Sequence, residues 1–139
     1  MTNPHPLDEW KQYLKEDDYE YLYQFVENAK NSLPNYKMII FVGAGRTGKS
    51  RLIEDISEYI GINTQNVRRC DTYGSAFLEP IVKLVHVVAI ENYQKRYRQQ
   101  LKNVIQYGQS VITSTNNIES VNKSILESAK VILMEHQFL

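Results

Sequence analysis

Several absences narrow the class of this chain before any motif is read. Cys70 is the only cysteine, so no internal disulfide and no cysteine-built metal cluster can form, and the composition suits a reducing compartment. Sixteen Lys and Arg are balanced by sixteen Asp and Glu. With no net charge, neither a bulk nucleic-acid binder nor an acidic solvating tail is indicated, and any basic footprint has to be local. The three histidines, His5, His86 and His136, are too dispersed to suggest a metal site. No uninterrupted apolar run approaches the roughly 20 residues that cross a bilayer, and residues 1–7, with Pro4 and Pro6, have no apolar centre. A soluble, intracellular protein without a membrane partner is the expectation. The ten tyrosines form no repeat, and 139 residues suit a single domain.

What the chain does contain is organised around Gly43, Ala44, Gly45, Arg46, Thr47, Gly48, Lys49 and Ser50. They spell GxxxxGKS between an apolar run, Met38 to Val42, and a helix-like stretch, Arg51 to Ile60, which is the context that makes the pattern a phosphate loop. Backbone N–H groups can close around anionic oxygens only where side chains stay out of the way, and Gly43, Gly45 and Gly48 allow that. Lys49 offers a cation to the outer phosphates and Ser50 a hydroxyl to Mg²⁺. The helix beginning beside Arg51 points its N-terminal dipole at the same charge. A nucleoside triphosphate with Mg²⁺ is the expected ligand.

Along the rest of the chain, Leu7, Trp10 and Leu14 predict a short first helix. Asp17 and Glu20 resemble a capping box for a second helix from about Asp18 to Ser32. Residues 1–35 therefore read as a helical segment packed on a core formed by residues 36–139. Lys37 to Val42 is a strand, and Gly61 closes the helix after the loop. Asn66 to Cys70 is a weak strand candidate interrupted by Arg68 and Arg69. Leu84 to Ile90 is nearly continuous apolar sequence, as in a strand buried on both faces. Tyr97, Leu101, Val104 and Ile105 mark a helix stopped by Gly108, and Val111 to Ser114 a further strand. Val121, Ile125 and Ala129 predict a last helix, and Val131 to Met134 a fifth strand. Alternating strands and helices imply a mostly parallel, three-layer α/β domain. Ligands in such sheets bind at the carboxyl ends of strands, where the loop, Glu91 with Asn92, and Thr115 with Asn116 all fall.

A carboxylate there is costly unless a cation or water meets it, which makes Glu91 the candidate for holding Mg²⁺ or polarising water. Asn92 follows it and, as an amide, cannot act as a base. Asn116 can orient a γ-phosphate or a water; it can equally be a turn or cap residue beside Asn117. Lys95, Arg98 and Lys102 share a helix face with Arg96 beside it. Together with Tyr93 and Tyr97 they suit either a nucleic-acid backbone with stacked bases or an ordinary solvated face.

GAGRTGKS, VHVVAIEN and VITSTNN resemble the Walker A, Walker B and sensor 1 elements of the AAA+ class, and particularly those of viral superfamily 3 replication helicases. LYQFVENAKNSLPNYKMIIFVG and ILESAKVILMEHQF are similar to the lead-in helix and the closing helix and strand of such domains. The resemblance covers roughly residues 20 to 138. It implies Lys49 on the phosphates, Ser50 and Glu91 on Mg²⁺, Asn116 as sensor, and catalytic roles for Lys49, Glu91 and Asn116. It also implies a P-loop NTPase fold with a five-stranded sheet ordered 5-1-4-3-2, and an ATPase of viral or mobile-element replication in host cytoplasm or nucleus. Its partners would be ATP, single-stranded DNA or RNA, and further copies of itself or a replication protein. The departures are Asn92 where a second Walker B acid is usual and Ser128, Ala129 and Lys130 where an arginine finger is expected. The interval between Glu91 and Val111 is also too short for a DNA-gripping hairpin. Two alternatives stay open: a nucleotide-binding assembly protein with little hydrolysis, and a small nucleoside or metabolite kinase, against which stands the absence of arginine from Gly108 onward.

Overall fold

The apolar run Met38–Val42 forms β1, an interior strand of the sheet buried along its whole length. The computed structural model describes residues 5–61, 64–67, 87–90, 93, 95, 98–106 and 108–138. Four more strands join β1: β2 (Thr64–Val67), β3 (Val87–Ile90), β4 (Ser110–Thr115) and β5 (Ala129–Leu133). The order is β2-β3-β4-β1-β5, and every pairing is parallel. This is the order that the resemblance implied. Parallel strands need crossovers, which are supplied by α2 (Lys49–Ile60), α3 (Arg98–Gln106) and the single turn α4 (Lys123–Leu126).

Alternation along the strands sends side chains into two cores. Ile39, Phe41, Val87, Ala89, Ile112 and Ile132 face one, with Leu52 and Ile56 of α2 and with Leu22, Phe25 and Val26 of α1 (Glu16–Lys30). Met38, Ile40, Val88, Ile90 and Val111 face the other, with Leu101 and Ile105 of α3 and Val121 and Ile125 near α4. A sheet covered on both faces in this way is the three-layer α/β arrangement.

Several local expectations are corrected. The first helix is a 3₁₀ turn, Asp8–Gln12, in which Trp10 N donates to Leu7 O at 3.0 Å; i,i+3 eclipsing stacks those two side chains into the core. No capping box forms: α1 starts at Glu16, so Asp17 lies inside the first turn and acts on the helix dipole instead. β2 begins two residues before the weak Asn66 to Cys70 candidate and shares Asn66 and Val67 with it; residues 68–70 are outside the described residues. Ala129 is not helical. It opens β5 opposite Met38, and its apolar character serves the sheet.

One buried polar residue ties α1 to the strands. Asn35 Nδ2 donates to Phe25 O at 3.0 Å and to Ser110 Oγ at 2.8 Å, while its Oδ1 accepts from Asn28 Nδ2 at 3.1 Å. Its backbone N–H donates to the carbonyl of Gly108, whose φ of 81° ends α3. Truncation would leave several of these groups without partners inside the protein. Asn35→Ala is expected to cost about 2–3 kcal/mol. Urea unfolding should show a lower midpoint with an unchanged slope; an unshifted midpoint contradicts the latch.

Candidate functional site

The chain leaves β1 into a loop held by backbone contacts on several sides. Gly43 N donates to Thr115 O at 3.2 Å, and Met134 N donates to Val42 O at 2.8 Å. A methyl group on Gly43 would stand 2.4 Å from Met134 O, so no side chain fits there. Gly48 has φ 84°, and a Cβ on it would meet the indole of Trp10 at 2.5 Å. Arg46 is left-handed as well, with φ 67° and no glycine's freedom. Its carbonyl accepts from Phe138 N at 2.7 Å, and the carbonyl of Gly45 accepts from Gln137 Nε2 at 3.2 Å. Within the loop, Thr47 Oγ1 donates to Ala44 O at 2.8 Å.

Lys49 is the first residue of α2, and its ammonium curls back under the loop. Nζ donates to Gly43 O at 2.6 Å, to Ala44 O at 2.8 Å and to Thr47 Oγ1 at 3.3 Å. The residue is only 8 % exposed. Burial holds its pKa below the usual lysine value. A nearly buried cation satisfied only by carbonyl and hydroxyl dipoles, at the N-terminus of a 12-residue helix, matches the chemistry of a phosphate. Gly45, Gly48 and Ser50 line an open cavity of about 380 Å³ beside it, so a hydroxyl suited to Mg²⁺ shares that space.

β4 supplies the facing wall. Ser114 and Asn116 line the same cavity as Lys49, Arg46 and Arg51. The turn role falls to Asn117, whose Oδ1 accepts from Glu119 N at 2.9 Å and whose own N–H donates to Thr115 Oγ1 at 3.2 Å. Asn116 is thus left at the cavity wall. Ser114, inside an apolar-patterned strand, carries no sequence signal for the site; it pairs with Phe41 near the carboxyl end of β1, which brings it to the cavity wall.

Other candidate residues sit elsewhere. Gly43, Ala44 and Thr47 line a second cavity of about 330 Å³ between the loop and residues Leu133 to Gln137. Arg51 pairs with Glu9 at 2.8 Å and with Asp55 at 3.8 Å on the surface. Lys130, at the position expected for a finger, is bound to Asp18 at 2.9 Å. Tyr93 is 5 % exposed and cannot stack on bases. Glu91, Asn92, Arg68, Arg69, Arg96, Tyr97, His86 and Cys70 lie outside the described residues. His5 contacts Glu27 and His136 stacks on Tyr13; among the described residues no group of acids and histidines could hold a metal.

No family model and no curated protein matches the chain. Solved structures do. The Holliday junction branch migration motor RuvB of Thermotoga maritima aligns with a TM-score of 0.67 at 16 % identity, over 97 % of this chain and 48 % of that one. AMPPCP-bound DnaA of Aquifex aeolicus aligns at 0.62 with 14 % identity, over 90 % and 49 %. PCH-2 of C. elegans aligns at 0.62 with 11 % identity, over 87 % and 43 %. This chain therefore spans about half the length of these structures. The shared fold is that of the AAA+ P-loop ATPases; it does not single out superfamily 3 helicases.

The two glycines at the cavity make opposite demands. Gly48→Ala adds a left-handed alanine and a clash with Trp10, and is expected to destabilise by about 2–4 kcal/mol. Gly45 has nothing within 4 Å of the place a methyl group would take, so Gly45→Ala should stay within about 0.5 kcal/mol. Thermal melts of both variants check the contrast.

Proposed function

We propose that this chain binds ATP with Mg²⁺ and hydrolyses it, as an AAA+ type ATPase. The observation that supports this reading is one cavity at the carboxyl ends of the neighbouring strands β1 and β4, walled by the buried ammonium of Lys49 on one side and Asn116 on the other. Lys49 would exchange its loop carbonyls for phosphate oxygens. Gly45, Arg46, Gly48 and Arg51 would enclose the polyphosphate with the helix N-terminus, and Gly43, Ala44 and Thr47 would hold the loop's shape behind it. Ser50 and Glu91 would hold Mg²⁺, which neutralises phosphate charge during transfer. Glu91 would also polarise the attacking water, and Asn116 would position that water or the γ-phosphate. Roles for Lys49 and Asn116 in the reaction are thus proposed from spacing, resemblance and the shared cavity, and that of Glu91 from spacing and resemblance.

The finer reading is a minimal helicase-like ATPase of viral or mobile-element replication, working as an oligomer or with a replication partner. It draws on the resemblance to superfamily 3 and on a fold shared with a branch migration motor and DnaA. A specific observation also favours a second reading, nucleotide binding with slow turnover. Lys130 is held by Asp18, so the finger position offers no cation to the cavity, and Asn92 replaces the second acid.

Lys49→Ala should weaken MgATP binding about 10- to 100-fold in calorimetry. Glu91→Gln should keep binding and lower steady-state turnover about 100-fold. Absence of turnover in the wild type, with binding intact, favours the second reading; binding unaffected by Lys49→Ala overturns both.

Binding should also depend on pH in a definite direction. In the ligand-free fold, burial disfavours the charged form of Lys49, whose usual pKa is 10.5. Phosphates favour that form and raise the pKa on binding. Between the two values binding takes up a proton, so affinity falls as pH rises through the window below the usual lysine pKa. The ligand-free protein shows the opposite sign: unfolding restores the higher pKa, so this residue's contribution to stability improves as pH rises through the same window. Titrations in buffers of different ionisation enthalpy read the proton uptake; Lys49→Ala should show none.

A further inference from the structure

The triphosphate site leaves one feature of the chain unused. From residue 92 to residue 118 there is no Asp or Glu, while Lys95, Arg96, Arg98 and Lys102 all fall in this interval. In a chain with no net charge, that is a local concentration of positive charge. Its centre is α3. Leu101 and Ile105 anchor the helix against Val88, Ile90 and Val111, which fixes its orientation. Arg98, Gln99, Lys102 and Asn103 are exposed on the other side, and Lys95 is exposed just before the helix.

Several cations elsewhere are engaged: Arg51 with Glu9 and Asp55, Lys130 with Asp18, and Lys30 with the carbonyl of Tyr59. None of the ion pairs among the described residues involves Lys95, Arg98 or Lys102. Arg98 and Lys102 stand about one turn apart, some 5–6 Å along the axis, and point the same way. Gln99 and Asn103 lie on the same stretch, joined by a 3.1 Å hydrogen bond, and keep donors and acceptors for further partners.

We propose that the outward face of α3 binds the phosphodiester backbone of a nucleic acid. The alternating cations meet phosphates, and the carboxamides meet phosphates or sugar hydroxyls. Tyr93 is buried and offers no stacking platform, and contacts to phosphates and sugars carry no sequence information, so this face tolerates any base sequence. An anionic membrane is the less suitable partner. Among the described residues the large exposed apolar side chains are Tyr21, Tyr23, Leu33, Tyr36, Ile118 and Leu133, none of them on α3, so nothing there enters lipid. The proposal does not rest on the ATPase reading.

The test is fluorescence anisotropy with a fluorescein-labelled single-stranded DNA and the matching duplex, on wild type and on Lys49→Ala, without nucleotide. Expected is a Kd of roughly 1–100 µM at about 50 mM salt, equal in the two proteins. The logarithm of the association constant should fall against the logarithm of salt with a slope of about −2 to −3, as for three neutralised phosphates. The double variant Arg98→Glu, Lys102→Glu should weaken binding at least about tenfold and flatten the slope by about 1 to 2, with an unchanged circular dichroism spectrum. Lys11→Glu, on the opposite face of the sheet, should change neither. Whichever strand form binds more tightly identifies the ligand, and either supports the proposal. It is overturned if neither DNA binds, if the double variant binds as wild type does, or if vesicles containing phosphatidylserine bind in an α3-dependent manner while both DNAs do not.

Discussion

The ammonium of a lysine that is only 8 % exposed has to be met by oxygen atoms, and much of the structure follows from how Lys49 is met. Its partners are the carbonyls of Gly43 and Ala44, which precede it by six and five residues. The chain can bring those carbonyls over the start of α2 only by turning tightly, and two left-handed residues, Arg46 and Gly48, make the turn. Dipoles solvate a cation less well than water does, which is why burial lowers the lysine's pKa. The loop is therefore closed around a charge that an anion would satisfy better than the loop itself does.

The left-handed turn needs support from outside, and it comes from both ends of the described chain. Arg46 bears a cost of about 1–2 kcal/mol for its conformation. Against it stand the 2.7 Å hydrogen bond from Phe138 and the packing that holds Phe138 in place. Trp10 and Phe138 lie 5.8 Å apart edge to face, Tyr13 and Phe138 5.2 Å, and Tyr13 stacks on His136 at 4.5 Å. Each such contact contributes about 0.5–1.5 kcal/mol beyond simple burial, so the cluster outweighs the strain at one residue. Trp10 also closes on Gly48, where only a glycine leaves room. A segment more than thirty residues before the loop and another almost ninety residues after it thus determine the loop's shape.

That support was not legible in the sequence, and the reason is physical. Periodicity reports which face of an element is buried, and Trp10 and Phe138 do not reveal through spacing that they meet each other. β1, α2 and the apolar strand ending at Ile90 were legible because burial on both faces or on one helical stripe leaves a continuous or periodic record. β2 was displaced because an edge strand reading Thr64, Gln65, Asn66, Val67 has little apolar content, and its pairing with β3 is made by backbone groups common to all residues. Ala129 misled for the converse reason. Its i,i+4 relation to Ile125 fits a helix, but the backbone pairing with Met38 prevails. That Lys49 and Asn116 lie at one cavity was legible because a loop motif and strand ends carry position as well as composition. Ser114 was not, since only three-dimensional register places it at the cavity.

The sheet links its two faces through the end of β4. Ser114 lines the cavity beside Lys49, and its carbonyl accepts from Tyr93 N at 2.8 Å. Tyr93 is anchored at its other end, where its hydroxyl donates to Asn122 Oδ1 at 2.6 Å, and burial pushes its pKa up to about 12. The phenol therefore stays neutral and keeps donating across the whole range in which proteins work. A shift of Ser114 toward or away from the phosphate loop has to carry Tyr93 with it or break a buried hydrogen bond. Leaving either group without a partner costs about 1–3 kcal/mol. Tyr93 packs in the same core as Leu101 and Ile105, so one buried side chain ties the end of β4 to the core that holds α3.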